Sequence, residues 1–116
     1  MIKINAEISP LPFKRVLTCG DQRFNPTQYR KFKEELGWLA RRQIRKPTIK
    51  PVSIELRVYR ELPPESLRFG DIDNHLKAVL DSLNGIAYLD DRQVVAAQIE
   101  LHRGRPHLEI VLEEMS

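Results

Sequence analysis

The sequence predicts an α+β fold, a two-layer sandwich in which about four strands form a mixed sheet with two helices on one face. Two observations carry this expectation. Apolar residues alternate with polar ones in some segments and recur at helical spacing in others, and the two patterns follow one another in the order β-α-β-α-β-β. At 116 residues the chain reads as one domain over residues 1–116, long enough to bury roughly two thirds of the surface its unfolded form exposes. Apolar residues make up 41% and charged residues 30%, the composition of a soluble globular protein.

Ile2, Ile4, Ala6 and Ile8 alternate with polar residues as in a strand with one buried face, and Pro10 and Pro12 end the run. The basic stretch from Phe13 to Phe24 reads as a loop or ragged hairpin, with Val16-Leu17-Thr18 as a short strand before a Gly20-Asp21 turn. Asn25-Pro26-Thr27-Gln28 has the form of a helix start, with Asn at the N-cap, Pro at N1 and Gln at N3. Tyr29, Phe32, Leu36, Leu39 and Ala40 then line one face of that helix, while Arg30, Lys31, Lys33, Arg41 and Arg42 line the other. Gly37 inside it costs about 1 kcal/mol relative to Ala, and Lys46-Pro47 closes it.

Val52, Ile54, Leu56 and Val58 give a second alternation, bounded by Pro51 and Pro63-Pro64, as expected of a central or near-central strand. From Ile72, the residues Leu76, Val79, Leu80 and Leu83 return to helical spacing, and Asn84-Gly85 supplies a stop with Gly at the left-handed position. Val94 to His102 and His107 to Glu113 are strand-like, and Arg103-Gly104-Arg105-Pro106 between them reads most simply as a hairpin turn.

No apolar run approaches the roughly 20 residues of a membrane helix, and no secretory signal opens the chain, so a cytoplasmic protein without a membrane partner is expected. Cys19 is alone, which excludes an intrachain disulfide and a cysteine-rich zinc cage. The net charge of +3 divides into +8 over residues 1–50 and −5 over residues 51–116. A basic half suits a phosphate backbone and an acidic half suits cations, although two solvated faces would give the same balance.

The acids are grouped. Asp71 and Asp73 open the second helix, where free backbone N–H groups favour negative charge, so capping alone accounts for the pair. Asp73, Lys77 and Asp81 are spaced i, i+4, i+8 along one polar stripe, which suits either a ladder of ion pairs or a phosphate-handling surface. Asp90-Asp91 falls at the mouth of a loop entering a strand, where two adjacent carboxylates have no evident packing purpose and repel each other without a cation. Hard ions such as Mg²⁺ are held by a few carboxylates together with substrate phosphates, and Asp71, Asp73 and Asp91 supply that number. Lys77 then stands one turn past Asp73 as a point charge for a phosphate.

The string D-I-D-N-x-L-K-x-x-L-D-S-L-N-G from Asp71, followed by L-D-D-x-Q-V ending at Val94, resembles the signature of the RusA family of Holliday junction resolvases. The resemblance implies a small, dimeric, Mg²⁺-dependent endonuclease, with Mn²⁺ able to substitute, that binds four-way DNA junctions and nicks two strands symmetrically in recombination and repair. It implies metal-binding, catalytic carboxylates at Asp71, Asp73 and Asp91, and a catalytic or phosphate-positioning Lys77. Asn74, Asp90 and Gln93 match the motif as supporting or folding residues, and Asp81 matches chiefly as helix-face structure.

Three departures stand out. His75 replaces the usual apolar residue, Gly70 replaces a basic or Pro residue, and Pro10 to Val16 lacks the usual Pro-Pro-Ser-x-Asn string. His75, beside the carboxylates, reads as a solvated histidine on the helix surface, with contact to a phosphate as the alternative, and His102 and His107 flank the expected turn as a backbone clamp or a charged tip. DNA phosphates are assigned to Lys14, Arg15, Arg30, Lys33, Arg41 and Arg103. The rival readings are a non-catalytic DNA-binding module and a nuclease for flaps or replication forks.

Overall fold

A computed structural model describes residues 1–13 and 26–115. The elements run β1 (Ile2–Ala6), α1 (Pro26–Arg41), β2 (Val52–Arg60), α2 (Ile72–Leu83), β3 (Val94–Arg103) and β4 (His107–Glu114), with a 3₁₀ turn at Asp91–Gln93 leading into β3. The α+β expectation holds in element order and in layering. The expected strand at Val16-Leu17-Thr18, the Gly20-Asp21 turn and the Asn25 cap lie outside the described residues. The first helix begins at Pro26 as expected but ends at Arg41, five residues before the Lys46-Pro47 stop. Ile44 donates its N–H back to Ala40 and buries its side chain, which turns the chain toward β2.

The sheet order is β1-β4-β2-β3. β2 pairs parallel with β3, matching Leu56 to Ile99 and Val58 to Leu101. On its other edge β2 pairs antiparallel with β4, matching Leu56 to Ile110, and β4 pairs antiparallel with β1. The expected β3–β4 hairpin is therefore overturned, because β2 lies between the two strands. The reason is the β2-α2-β3 crossover, which returns β3 parallel to β2 and leaves the other edge of β2 open. β4 carries Leu108, Ile110 and Leu112, all buried, and fills that edge rather than folding against β3. Residues 103–107 instead step across two strand spacings, about 10 Å. On the way Gly104 donates its N–H to Arg60 O at 2.9 Å, satisfying the end of β2.

Period-2 patterning puts one sheet face against the helices. Ile4, Ala6, Val52, Ile54, Leu56, Val58, Leu108, Ile110 and Leu112 are buried there against Tyr29, Phe32, Leu36 and Ala40 of α1 and Ala78, Val79 and Leu83 of α2. Each large aliphatic side chain fully buried contributes about 1.5–3 kcal/mol. The other sheet face is polar: Arg57 bridges Glu100 at 3.3 Å and Glu109 at 3.7 Å. There Tyr59 stacks between His102 and His107, with centroids 5.0 and 4.1 Å away. The two histidines are thus the flanks of one aromatic stack across three strands, not the tip of a hairpin.

The apolar stripe of α2 is rotated from the expected one. His75, Ala78, Val79, Ser82 and Leu83 are buried, whereas Leu76 and Leu80 are half-buried. Ser82 is tolerated inside because its hydroxyl donates to Ala78 O at 2.7 Å. Gly37 also gains a physical reason. A Cβ at that position would lie 3.0 Å from Ile86 Cδ1 and 3.7 Å from Ser82 O, so its absence lets α1 approach α2 and the residues after it closely.

Candidate metal and phosphate site

The loop between β2 and α2 delivers Asp71. Arg60, at the end of β2, donates to the carbonyl oxygens of Arg68 and Phe69, fixing the approach to the helix. Burial, and then the nearby charge of Arg68, lower the Arg60 pKa. Gly70 turns the chain with a φ of +98°, a region that favours glycine. His75, one turn into α2, is 2% exposed and donates from Nε2 to Phe69 O at 2.7 Å. The solvated histidine expected on the helix surface is thus a buried one. Its ring meets Phe69 edge-on, and the missing acceptor in an apolar pocket is supplied by the backbone. Sequence reasoning missed both Arg60 and this use of His75, because each acts on a backbone carbonyl that no spacing reveals.

Asp71 occupies the N-cap position of α2, but its carboxylate makes no capping hydrogen bond. Asp73 sits in the first turn, and both acids are exposed. No ion pair among the described residues reaches Asp71, Asp73 or Asp91. Capping therefore does not account for Asp71.

Farther along the stripe, Lys77 Nζ pairs with Asp81 Oδ1 at 3.7 Å and lies 4.9 Å from the centre of the Phe13 ring. Phe13 is tied to α2 through its N–H, which donates to Asn74 O at 3.0 Å. Asp81 Oδ2 accepts from the Tyr29 hydroxyl at 2.8 Å, so this acid joins the two helices. Burial, and then this bond and the Asp81 charge, raise the Tyr29 pKa. The reading of Asp81 as helix-face structure gains a specific content here: it is the polar clasp between α1 and α2.

The Asp90-Asp91 pair divides its labour. The Asp90 carboxylate accepts from the Arg92 N–H at 2.9 Å and caps the 3₁₀ turn, and that bond chiefly lowers its pKa. The supposition that the pair has no structural purpose is corrected for Asp90. Gln93 is the strut of this turn. Its Oε1 accepts from Leu89 and Asp90 N–H at 2.9 and 3.0 Å, and its Nε2 donates to Thr48 O and Lys50 O at 2.8 and 3.0 Å. Asp91 is left half-buried beside Tyr88. Burial raises the Tyr88 pKa most, followed by the negative charges of Asp91 and Asp81.

Among the described residues, no three His, Cys, Asp or Glu side chains converge into a ready metal cage. The donor set still suits a hard divalent ion, since Mg²⁺ is held by one or two carboxylates with waters and substrate phosphates completing the shell. Asp71 and Asp73 could serve so from one helix start, while Asp91 stands in a separate segment, the turn before β3.

Of the cations assigned to DNA, Arg30, Lys33 and Arg41 line one groove on α1 together with Asp81. Arg103 is exposed at the end of β3, paired in register with Arg60. Lys14 and Arg15 lie outside the described residues. No helix among the described residues is long and apolar enough to cross a membrane.

Fold and site together define a class: small α+β proteins with exposed carboxylates at a helix start that make no ion pair among the described residues, and a cation, Lys77, one turn further along the same helix. A family model described as Endodeoxyribonuclease RusA matches residues 8–113, and this chain belongs to that family. It is also similar to the uncharacterized protein YqaN of Bacillus subtilis (strain 168), at 31% identity over 112 residues, covering 79% of this chain and 78% of YqaN.

Proposed function

We propose that this protein is a divalent-metal-dependent endonuclease that resolves four-way DNA junctions by paired, symmetric nicks, acting as a homodimer in recombination and repair. The observation that carries the reading is the Asp71 carboxylate, which takes a capping position without capping and so stays available beside Asp73. Asp71, Asp73 and Asp91 are the residues that would hold Mg²⁺, with Mn²⁺ as a substitute. When bound, such an ion activates water and neutralises charge on the phosphate.

The chain's own residues do the positioning. Arg60 and Gly70 fix the loop that presents Asp71. Lys77, half-exposed and steadied by Asp81, meets the phosphate as a point charge where negative charge grows. Gln93 and Asp90 hold the turn that presents Asp91, and Asn74 anchors Phe13 across the start of α2. Arg30, Lys33, Arg41 and Arg103 grip backbone phosphates without reading bases, so junction preference comes from shape. A two-fold junction suits a two-fold protein, which supports the homodimer.

The test is cleavage of a labelled four-way junction in Mg²⁺, beside flap, fork and duplex substrates at one salt concentration. Paired nicks that vanish in Asp73→Asn, with junction binding retained, are expected. Tight binding without cleavage by the unaltered protein would instead make it a DNA-binding module, and a stronger cut on flaps or forks would move the substrate.

A further inference from the structure

Trp38 is 70% exposed on α1, an unusual place for a side chain that buries 150–250 Å² when covered. It lines a groove of about 360 Å³ with Arg30, Lys33, Arg41, Asp81 and Ile86. Along α1 the spacing Arg30, Lys33, Trp38, Arg41 sets the ring among cations on one face. Glu34 also lines the groove, but it is engaged by Arg30 at 3.9 Å. The charge of Asp81 is met by Tyr29 and Lys77. Arg41 takes part in no ion pair among the described residues.

We propose that this groove holds an unstacked nucleotide, its base lying on the Trp38 ring and its flanking phosphates on Lys33 and Arg41. An aromatic face between cations is the arrangement that binds single strands, because every base offers a π-face while the cations follow the backbone. The groove opens onto Asp81, from which the polar stripe of α2 leads through Lys77 to Asp73, two turns or about 12 Å away. At about 3.4 Å of rise per stacked nucleotide, the captured base would lie a few nucleotides from the bond facing Asp73. A four-way junction would supply such a base where a pair at its exchange point is opened on binding. The inference rests on the endonuclease reading for its substrate, but concerns a strand-capture site apart from the acids.

Trp38 is the single tryptophan, so its fluorescence reports the site directly. The full chain is titrated in EDTA with a four-way junction, oligothymidylate, an abasic strand of equal length and a closed duplex. The expected result is quenching by the junction and by thymidylate, with little quenching by the abasic strand. Trp38→Ala should weaken thymidylate and junction binding about 5- to 100-fold while duplex binding changes less than about twofold, and Trp38→Phe should recover most of the loss. Circular dichroism checks that both variants fold.

Equal quenching by abasic and thymidylate strands overturns the proposal. So does unchanged fluorescence in a protein that binds and nicks junctions, an outcome that leaves the nuclease reading intact. Base-dependent quenching without any cleavage in Mg²⁺ upholds strand capture and sinks the nuclease reading alone. An emission shift that follows protein concentration without DNA, and disappears in Trp38→Ala, would assign the groove to a second copy and overturn the proposal.

Discussion

His75 fills the volume that a side chain at position 70 would need: a Cβ built on Gly70 falls 2.8 Å from the His75 imidazole Nε2 and 2.8 Å from Pro12 Cγ. Gly70 and His75 are therefore one arrangement. A histidine inside the helix start is satisfied by Phe69 O, and the residue between carbonyl and helix has no side chain to obstruct it. Gly70→Ala brings both this overlap and the strain of a positive φ, for a destabilisation of about 2–4 kcal/mol. Thermal unfolding measures it. In His75→Ala the same glycine substitution should cost less, and the two effects should fail to add.

Burial, ahead of the charge of Arg60, pushes the His75 pKa below its ordinary value, against the raising influence of Phe69 O and Asp71. The folded protein therefore binds the proton less readily than the unfolded chain. Above about pH 6.5, the ordinary histidine pKa, both states are neutral and the contribution is constant. As pH falls below that value the unfolded state takes up the proton first, and stability declines. Denaturant unfolding in EDTA between pH 7.5 and 5 should show this decline, and His75→Leu should flatten it. An identical slope in the two proteins would assign the titration elsewhere.

Gln93 makes four hydrogen bonds through one amide, two received at Oε1 and two given from Nε2. Gln93→Glu retains the acceptors but sets a carboxylate against Thr48 O and Lys50 O, so it should destabilise at least as much as Gln93→Ala, which costs about 2 kcal/mol. Both should lower junction cleavage by loosening the turn that carries Asp91. Urea midpoints and cleavage rates decide this.

Lys77→Ala should separate activity from stability. The Lys77–Asp81 pair is partly exposed and worth less than about 1 kcal/mol, so the melting temperature should hardly move. On the proposed role of Lys77 at the phosphate, loss of its charge should slow nicking about 10- to 1,000-fold, with junction binding weakened much less. Single-turnover cleavage beside a binding assay makes the comparison.

Magnesium itself should raise the melting temperature, because an ion that binds only the folded state stabilises it by about 2.7 kcal/mol at 100 times its Kd. Asp71→Asn and Asp73→Asn should each reduce that increment while leaving the EDTA melting temperature near that of the unaltered protein, since neither acid is held by an ion pair among the described residues. A wild-type increment in both variants would move the ion away from α2.

Much of this protein was written in periodicity and spacing. Alternation at Val52–Val58 and helical recurrence at Tyr29–Ala40 identified a core strand and a core helix, because burial of one face demands a repeat of two or of about 3.6 residues. Gly85, with its φ of +80°, ended α2 where the Asn84-Gly85 pair required. The acids and Lys77 were visible as one motif. What periodicity could not supply was strand partnership: nothing local forbids a β3–β4 hairpin, and only the open apolar edge of β2 draws β4 away from β3. Nor could it reveal groups that act on distant carbonyls or across helices. Gln93 on Thr48 O and Asp81 under the Tyr29 hydroxyl depend on contacts between segments far apart in the chain, and so does the arrival of Asp81 beside Trp38 and the cations of α1, whereas Arg60 reaches Phe69 O only because the loop after β2 folds back. Sequence by itself determined which faces must be buried and which residues could carry charge chemistry. Tertiary structure alone decided which of them meet, because hydrogen bonds and charges act over a few ångströms of space whatever their separation along the chain.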